Sequence, residues 1–256
     1  MAILFIILFY VLEKGINAIS WDFLTEMPKK RGRAGGILPT IVASLELMLL
    51  SSAIAAPIGV GTAVYLTEYT TKNKFTSFIR FAIESLAGVP SIIFGLFGFA
   101  FFVLYLDLGW SILSGSLTLA IMILPILIRT TEEALKTVPH GYREGSLALG
   151  ANLWQTITRI VIPTALPGII TGIILGMGRA IGETAAVMLT AGSALRMPGS
   201  LLDSGRSMSL HLYLLASEGV AVDNAYGTAV VLIFFILIIN LLTNFVISRL
   251  SLKWRG

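Results

Sequence analysis

The chain has 256 residues, 56% of them apolar and 12% charged, with no cysteine and a formal net charge of +4. Soluble domains run to about 45–50% apolar and about 25% charged residues, so one aqueous core cannot hide this surplus and lipid must face much of it. The missing thiols exclude disulfides and thiolate metal or iron–sulfur sites. The basic residues are scattered through loops without interleaved aromatics, which excludes a nucleic-acid surface.

Met1–Leu12 is apolar but short, and Glu13 and Lys14 follow at once. It has neither the basic n-region nor the small-residue cleavage site of a secretory signal, and is expected to be a first span clipped at its front. Ile37–Thr67 is interrupted only by Glu46, and uncharged runs follow at Ser85–Leu106, Leu108–Ile128, Ile160–Gly178 and Asn224–Ser248. Each is close to or above the roughly 18–20 residues that carry a helix across hydrocarbon. Six spans predict an all-α polytopic membrane protein with both ends on one side. Pro39 and Pro57 lie in the second span, Pro90 in the third, Pro125 in the fourth, and Pro163 with Pro167 open the fifth. Each proline frees a carbonyl and bends the rod; ordinary packing and a mechanical hinge are both open readings.

Between the fourth and fifth spans the chain turns polar. Glu132–Val138 is helix-compatible and Pro139-His140-Gly141 breaks it. Tyr142–Leu149 is expected to form a short helix that Gly150 ends in a left-handed conformation. Asn152 is placed to cap a third helix, with an apolar face of Leu153, Trp154, Ile157, Ile160 and Val161. Pro163 then fits the first turn of the fifth span. A short helix of this kind either lies on the membrane surface or offers a grip to something outside the bilayer.

In the fifth span Gly168, Gly172 and Gly176 recur at every fourth position, a stripe that lets another backbone approach, and Gly178 and Gly182 extend it. Arg179 and Glu183 are i, i+4 neighbours, close enough to pair. At about 1.5 Å per residue from Pro163, Arg179 lies roughly 24 Å along the helix. A lone Arg near the bilayer centre costs about 2.5–3.5 kcal/mol, so this one is expected to face a partner or a watery cavity. Its planar fork matches an oxyanion, and Glu183 would offset the charge so that an anion is attracted without being trapped. A buried pair locking helices together is the other reading. Ser91, in the kinked patch Gly88-Val89-Pro90-Ser91, either offers its hydroxyl to a passing anion or bonds a local carbonyl. Arg179, Glu183 and Ser91 are the expected substrate pathway. For Glu46, snorkelling, pairing with Arg179 and a place at a subunit interface all remain open. Ser193–Tyr226, with a short helix expected near Leu210–Ser217, either meets a partner or simply connects.

The polar loop resembles the EAA loop of ABC-importer permeases, in which Glu-Ala-Ala is followed at fixed intervals by Gly and by Ile, any residue, Leu-Pro. Glu144, Gly150, Ile160 and Pro163 stand at those intervals, with Gly145 and Ser146 in place of the alanines and Ile162 in place of the leucine. Further strings are similar to the permease subunits of phosphate ABC importers, of the PstA type, over nearly the whole chain. They include Tyr65-Leu66-Thr67-Glu68-Tyr69, Leu86-Ala87-Gly88-Val89-Pro90-Ser91, Arg129-Thr130-Thr131-Glu132-Glu133 and Gly178-Arg179-Ala180-Ile181-Gly182-Glu183-Thr184. The resemblance implies a type I importer permease with six spans and a MetI-like fold. It implies a first span and outer loop over 1–36, a permease domain over 37–250 with its EAA loop at 132–163, and a cytoplasmic tail at 251–256. Arg143, Glu144, Gly145, Ser146 and Gly150 would form the coupling helix, lodged in a groove of an ATPase. The implied partners are a second, PstC-like permease subunit, two ATP-hydrolysing subunits, an extracytoplasmic binding protein that delivers inorganic phosphate, and the lipid of a prokaryotic cell membrane. Charge counting leaves orientation open, because the cluster Lys29–Arg33 offsets the bias of the other loops; the resemblance puts the EAA loop in the cytosol.

No Gly-Lys dipeptide occurs, so the chain has no Walker A loop and energy is expected from a partner. His140 and His211 are far apart and mostly loop-like, no His-Glu-x-x-His occurs, and no acid pair stands at catalytic spacing. A transport subunit without catalytic residues, metal or cofactor is therefore expected, and not an enzyme. Its rivals are a permease for another oxyanion, such as molybdate or sulfate, and a passive ion channel.

Overall fold

The computed structural model describes residues 2–253 apart from Lys72 and Val220, and the described residues are helical almost throughout. Helix α1 (Ala2–Gly15) is followed by the short α2 (Trp21–Thr25) and by a hairpin, β1 (Pro28–Lys29) and β2 (Ala34–Gly35), paired antiparallel with Pro28 opposite Gly35. Next come α3 (Leu38–Val64), which widens into a π turn at Tyr65–Tyr69, α4 (Lys74–Ala87), and α5 (Ser91–Gly98), which widens likewise at Phe99–Tyr105. The remaining helices are α6 (Ile112–Lys136), α7 (His140–Ala148), α8 (Leu153–Thr156), α9 (Ile162–Ile181), α10 (Ala185–Thr190), α11 (Met208–Glu218) and α12 (Val222–Lys253). Of the expected tail at 251–256, residues 254–256 lie outside the described residues, as does Lys72.

The expected helical membrane fold is present. Leu38–Tyr69, Ile112–Lys136, Leu153–Ile181 and Val222–Leu241 are long and apolar enough to cross a bilayer. The third expected span is broken: α4 ends at Ala87 and α5 begins at Ser91. Pro90 has no amide hydrogen and disfavours helical geometry at Val89, so the uncharged run from Ser85 cannot form one rod. At 14 residues, α1 is shorter than the roughly 18–20 that span hydrocarbon. A second correction concerns Pro163. It does not open the fifth span, because α8, a π turn at Ile157–Val161 and α9 form one continuous helix from Leu153 to Ile181. The widened turn just before Pro163 takes up the ring and the missing hydrogen bond without a break.

The chain divides into two compact units, residues 1–51, 90–120 and 178–238 in one, and 52–89, 121–177 and 239–256 in the other. In the second unit, buried Ala63, Val64, Ile128, Leu135, Ile157, Val161 and Ile169 form one apolar cluster joining the ends of α3 and α6 to α8 and α9. The glycine stripe packs here as expected. A Cβ on Gly168 would collide with Ala134, and one on Gly172 with Thr130, so α6 and α9 approach at backbone distance, while Gly176 has ordinary contact with Ile123. In the first unit α5 lies against α10. A Cβ on Gly95 would meet Ala185 and Ala186, and one on Gly98 would meet Thr190 and Thr118. Since both sets of positions ascend together, the two helices run in the same direction.

The hairpin of the first unit covers α11. Gly32 (φ +89°) lies against the imidazole of fully buried His211, whose Nδ1 is 3.4 Å from an Arg206 Nη1 and whose Nε2 has no partner among the described residues. His211 thus sits inside a helix and not in a loop. Burial, helped by the Arg206 charge, pushes its pKa from 6.5 down to about 4. The folded value lies below the unfolded one, so the unfolded chain takes the proton first as pH falls. Stability is full above the unfolded value and is lost progressively towards the folded one. Detergent-solubilised protein should lose roughly 2 kcal/mol between pH 7 and pH 5, read as a lower apparent Tm, and His211→Gln should flatten that dependence.

Candidate functional site

The sequence between α6 and α8 folds into a separately capped helix. Pro139 sets its N-terminal boundary at His140, two residues before the expected start. At its other end Gly150 adopts φ +85°, the left-handed conformation expected of it. Gly150 N donates to Leu147 O at 3.0 Å and Ala151 N to Ser146 O at 3.2 Å, the paired bonds of a Schellman cap. Asn152 then starts α8 through a capping box, accepting from Gln155 N at 2.8 Å while its own amide donates to Gln155 Oε1 at 2.9 Å. Both ends of α7 are therefore fixed by local chemistry.

Of the five residues expected to meet an ATPase, Glu144, Gly145 and Gly150 are exposed, while Arg143 and Ser146 turn inward. Ser146 is buried, its hydroxyl 2.9 Å from that of Thr156, which ties α7 to α8. The Arg143 guanidinium grips Glu68 through both carboxylate oxygens, at 3.0 and 2.7 Å, with side-chain exposures of 17% and 6%. It also donates to Val138 O at 2.8 Å and Leu135 O at 3.0 Å. Leu135 lies in the last turn of α6, where its carbonyl also accepts from Val138 N at 3.3 Å, and Val138 lies just beyond the helix end. Arg80 of α4 makes a parallel link, pairing with Glu132 of α6 and donating to Leu66 O of the π turn at 2.9 Å. Removing one partner of a buried pair typically costs about 3–5 kcal/mol, because the other charge is stranded.

The outward face of α7 is apolar as much as polar. Tyr142 and Leu147 are exposed along with Glu144, and Leu149 at the helix end is 91% exposed. The apolar face expected on the following helix is split: Ile157 and Val161 are buried, whereas Leu153 and Trp154 face outward. Exposed apolar side chains on a short helix outside the spans favour a contact surface. Tyr142, Leu149, Glu68 and Arg80 were not among the expected site residues. Leu149 could have been found from its place between a helix end and Gly150, where no core lies within reach. Glu68 carried a signal only as an isolated acid at the end of an apolar run.

Arg179, Glu183 and Ser91 all belong to the first unit. Arg179 is exposed in the last turn of α9 and has no ion pair or hydrogen-bonding partner among the described residues. The expected pairing with Glu183 does not form, because α9 ends at Ile181 and Glu183 lies in the link to α10. Glu183 is held by its backbone, its carbonyl accepting from Ser209 Oγ at 2.6 Å. Gly178 and Gly182 leave the flanks of Arg179 open, with no neighbouring element within reach of a Cβ. Because α5 and α10 run side by side in one direction, Ser91 at the start of α5 lies at the same end as the Glu183 link. Its hydroxyl bonds no carbonyl among the described residues, and no side chain caps that helix start. Glu46 does not pair with Arg179; it is half-buried with Oε2 unpartnered.

This cap geometry makes a direct prediction. Gly150→Val places a β-branched side chain at φ +85°, at a cost of about 1–2 kcal/mol. Amides in the last turn of α7 and at Ala151 should exchange faster, with protection in α6 and α9 unchanged; unaltered protection would mean that another residue ends the helix.

The sequence pattern of the family described as "Binding-protein-dependent transport system inner membrane component" matches residues 55–256. The chain is 34% identical over 248 residues to the probable ABC transporter permease protein YqgI of Bacillus subtilis, covering 91% of this chain and 84% of that protein. It is 33% identical over 242 residues to the phosphate transport system permease protein PstA of Haemophilus influenzae, covering 93% and 85%. To the PstA protein of Mycobacterium leprae it is 37% identical over 240 residues, covering 90% and 78%. Among solved structures, the fold is similar to a chain of a bacterial alginate ABC transporter, with a TM-score of 0.73 at 16% identity and coverage of 97% and 89%. A chain of the MetNI methionine ABC transporter gives a TM-score of 0.70 at 18% identity, with coverage of 84% and 95%. The capped helix between the fourth and fifth spans and the likeness along most of the sequence have one explanation: the chain belongs to the family of inner membrane permease components of binding-protein-dependent ABC transporters.

Proposed function

We propose that this chain is one of two permease subunits of an ATP-driven importer that moves inorganic phosphate into the cytoplasm by alternating access. The observation that carries the anion reading is Arg179, an exposed guanidinium without a partner near the end of an apolar span. A charge there is costly unless a water-filled path or another subunit covers it. The unbonded Ser91 hydroxyl and the uncapped start of α5 supply further donors, and Glu183 keeps net attraction low enough for release. Relatives named as phosphate transport permeases, at 33% and 37% identity, support phosphate as the anion.

On this reading α7 faces the cytoplasm and seats its exposed face, Glu144, Gly145, Leu149 and Gly150, in a groove of an ATPase subunit. Two such subunits supply the energy, a second permease completes the pathway, and an extracytoplasmic binding protein docks on the hairpin side. Both termini are then cytoplasmic. The division into an outer-loop segment over 1–36, a permease domain over 37–250 and a tail over 251–256 follows from that placement.

The test is phosphate uptake by the assembled importer in vesicles. Arg179→Gln should reduce uptake by roughly a hundredfold with subunit assembly intact, and Arg179→Lys should retain part of it. Normal uptake in Arg179→Gln would sink the pathway role. Glu144→Arg should weaken retention of the ATPase subunits on purification. Stimulation of ATP hydrolysis by molybdate or sulfate, but not phosphate, would assign a different oxyanion.

A further inference from the structure

We infer that Glu68 and Arg143 form a rigid link that carries the displacement of α7 into the helix Leu38–Tyr69, so that Glu68 is a positioning residue for coupled transport. The inference rests on the proposed seating of α7 against an ATPase. A push on α7 moves the spans only if some contact transmits it before the loop yields. The loop itself is poorly suited to this: Pro139 breaks the helix before α7, and Gly150 ends it. What ties α7 back to the spans is side-chain chemistry. Arg143 leaves the inner face of α7 and spends donors on four acceptors: both oxygens of Glu68, Leu135 O and Val138 O.

The geometry is stiff for a physical reason. A guanidinium is planar, so holding both carboxylate oxygens and two carbonyls at once fixes its rotation as well as its position. Glu68 sits in the π turn at Tyr65–Tyr69, continuous with α3. Leu135 and Val138 belong to the last turn of α6 and its exit. One side chain therefore joins α7 to the ends of two spanning helices. Arg80 braces the same π turn from α4 through Leu66 O and, through Glu132, the same stretch of α6. The second link keeps the receiving end from yielding. Ser146 and Thr156 hold the other side of α7 to the start of the helix Leu153–Ile181.

The experiment measures labelled phosphate uptake and ATP hydrolysis together, in vesicles holding the assembled importer. Glu68→Gln should leave the ATPase subunits bound and hydrolysing while phosphate moved per ATP falls roughly tenfold. Arg143→Lys keeps the charge but loses the planar grip, and uptake per ATP should fall in the same way. The double variant E68C/R143C, in a chain with no cysteine of its own, should be uncoupled as made. It should regain uptake per ATP when a short thiol-reactive cross-linker joins the two positions. Wild-type uptake per ATP in both single variants overturns the inference, as does cross-linking that stops transport, since the two ends would then have to part during the cycle. Loss of assembly in both single variants, without recovery in the cross-linked pair, overturns it too, because the contact would then only hold the fold. Failure of the underlying reading shows separately, as unweakened ATPase retention in Glu144→Arg.

Discussion

A helix that breaks within a membrane protein leaves main-chain carbonyls and amides that hydrocarbon cannot satisfy, and the organisation of this chain follows from how each break is repaired. The breaks are specified locally: Pro90 between α4 and α5, Pro139 before α7, Gly150 after it, and Gly182 to Thr184 after α9. Some ends are satisfied locally, as in the Schellman cap at Gly150, and others also draw on side chains of neighbouring elements. Ser209 donates to the carbonyl of Glu183, Arg80 to that of Leu66, and Arg143 to those of Leu135 and Val138. Proline residues inside spans are handled differently. Pro163 follows a π turn, so the chain continues through it and no external donor is recruited.

Three of the arginines show two contrasting uses of the guanidinium. Arg80 and Arg143 are paired with protein acceptors and half-buried or deeper, so their charge is spent on holding helix ends together. Arg179 touches nothing that would neutralise it. Guanidinium suits both duties because it keeps its charge in a poor dielectric and directs its donors in one plane. In the first setting that rigidity fixes an angle between elements. In the second it leaves a directional donor set without a protein acceptor among the described residues. Close approach of glycine to a neighbour follows a similar division: Gly168 and Gly172 are filled by α6, while Gly178 and Gly182 are left open beside the charge.

Much of this was legible in the sequence wherever a local rule decides the outcome. The apolar runs give the spans, Gly150 gives the left-handed end of α7, Asn152 gives the cap of α8, and the four-residue glycine spacing gives the contact with α6. Each depends on residues within one or two turns. The helix expected near Leu210–Ser217 appears for the same reason as α11, Met208–Glu218. What was not legible depends on partners remote in sequence. Arg143 belongs to the loop by spacing, yet its direction is set by Glu68, 75 positions away. The Arg179–Glu183 pairing is allowed by helical spacing alone, but Gly182 ends the helix before the pair can form. Pro163 was read as a helix start because a π turn leaves no signature in single-sequence periodicity.

Two surfaces of this chain carry the wrong polarity for their surroundings, and that inversion is informative. Tyr142, Leu147 and Leu149 expose apolar area on α7 and its C-terminal cap, outside the spans. Arg179 exposes a charge within a span, where lipid would meet it. Covering either one with the chain's own side chains would need the opposite packing, an inward-turned Leu149 or an Arg179 drawn back to Glu183. Neither is present: Leu149 is exposed at the end of α7, and α9 ends at Ile181, before Glu183. The proposed function answers each inversion with a second surface, a groove for α7 and a hydrated path for Arg179. The two demands differ in kind, an apolar one at α7 and a polar one at Arg179, so the proposed assembly answers them with dissimilar partners.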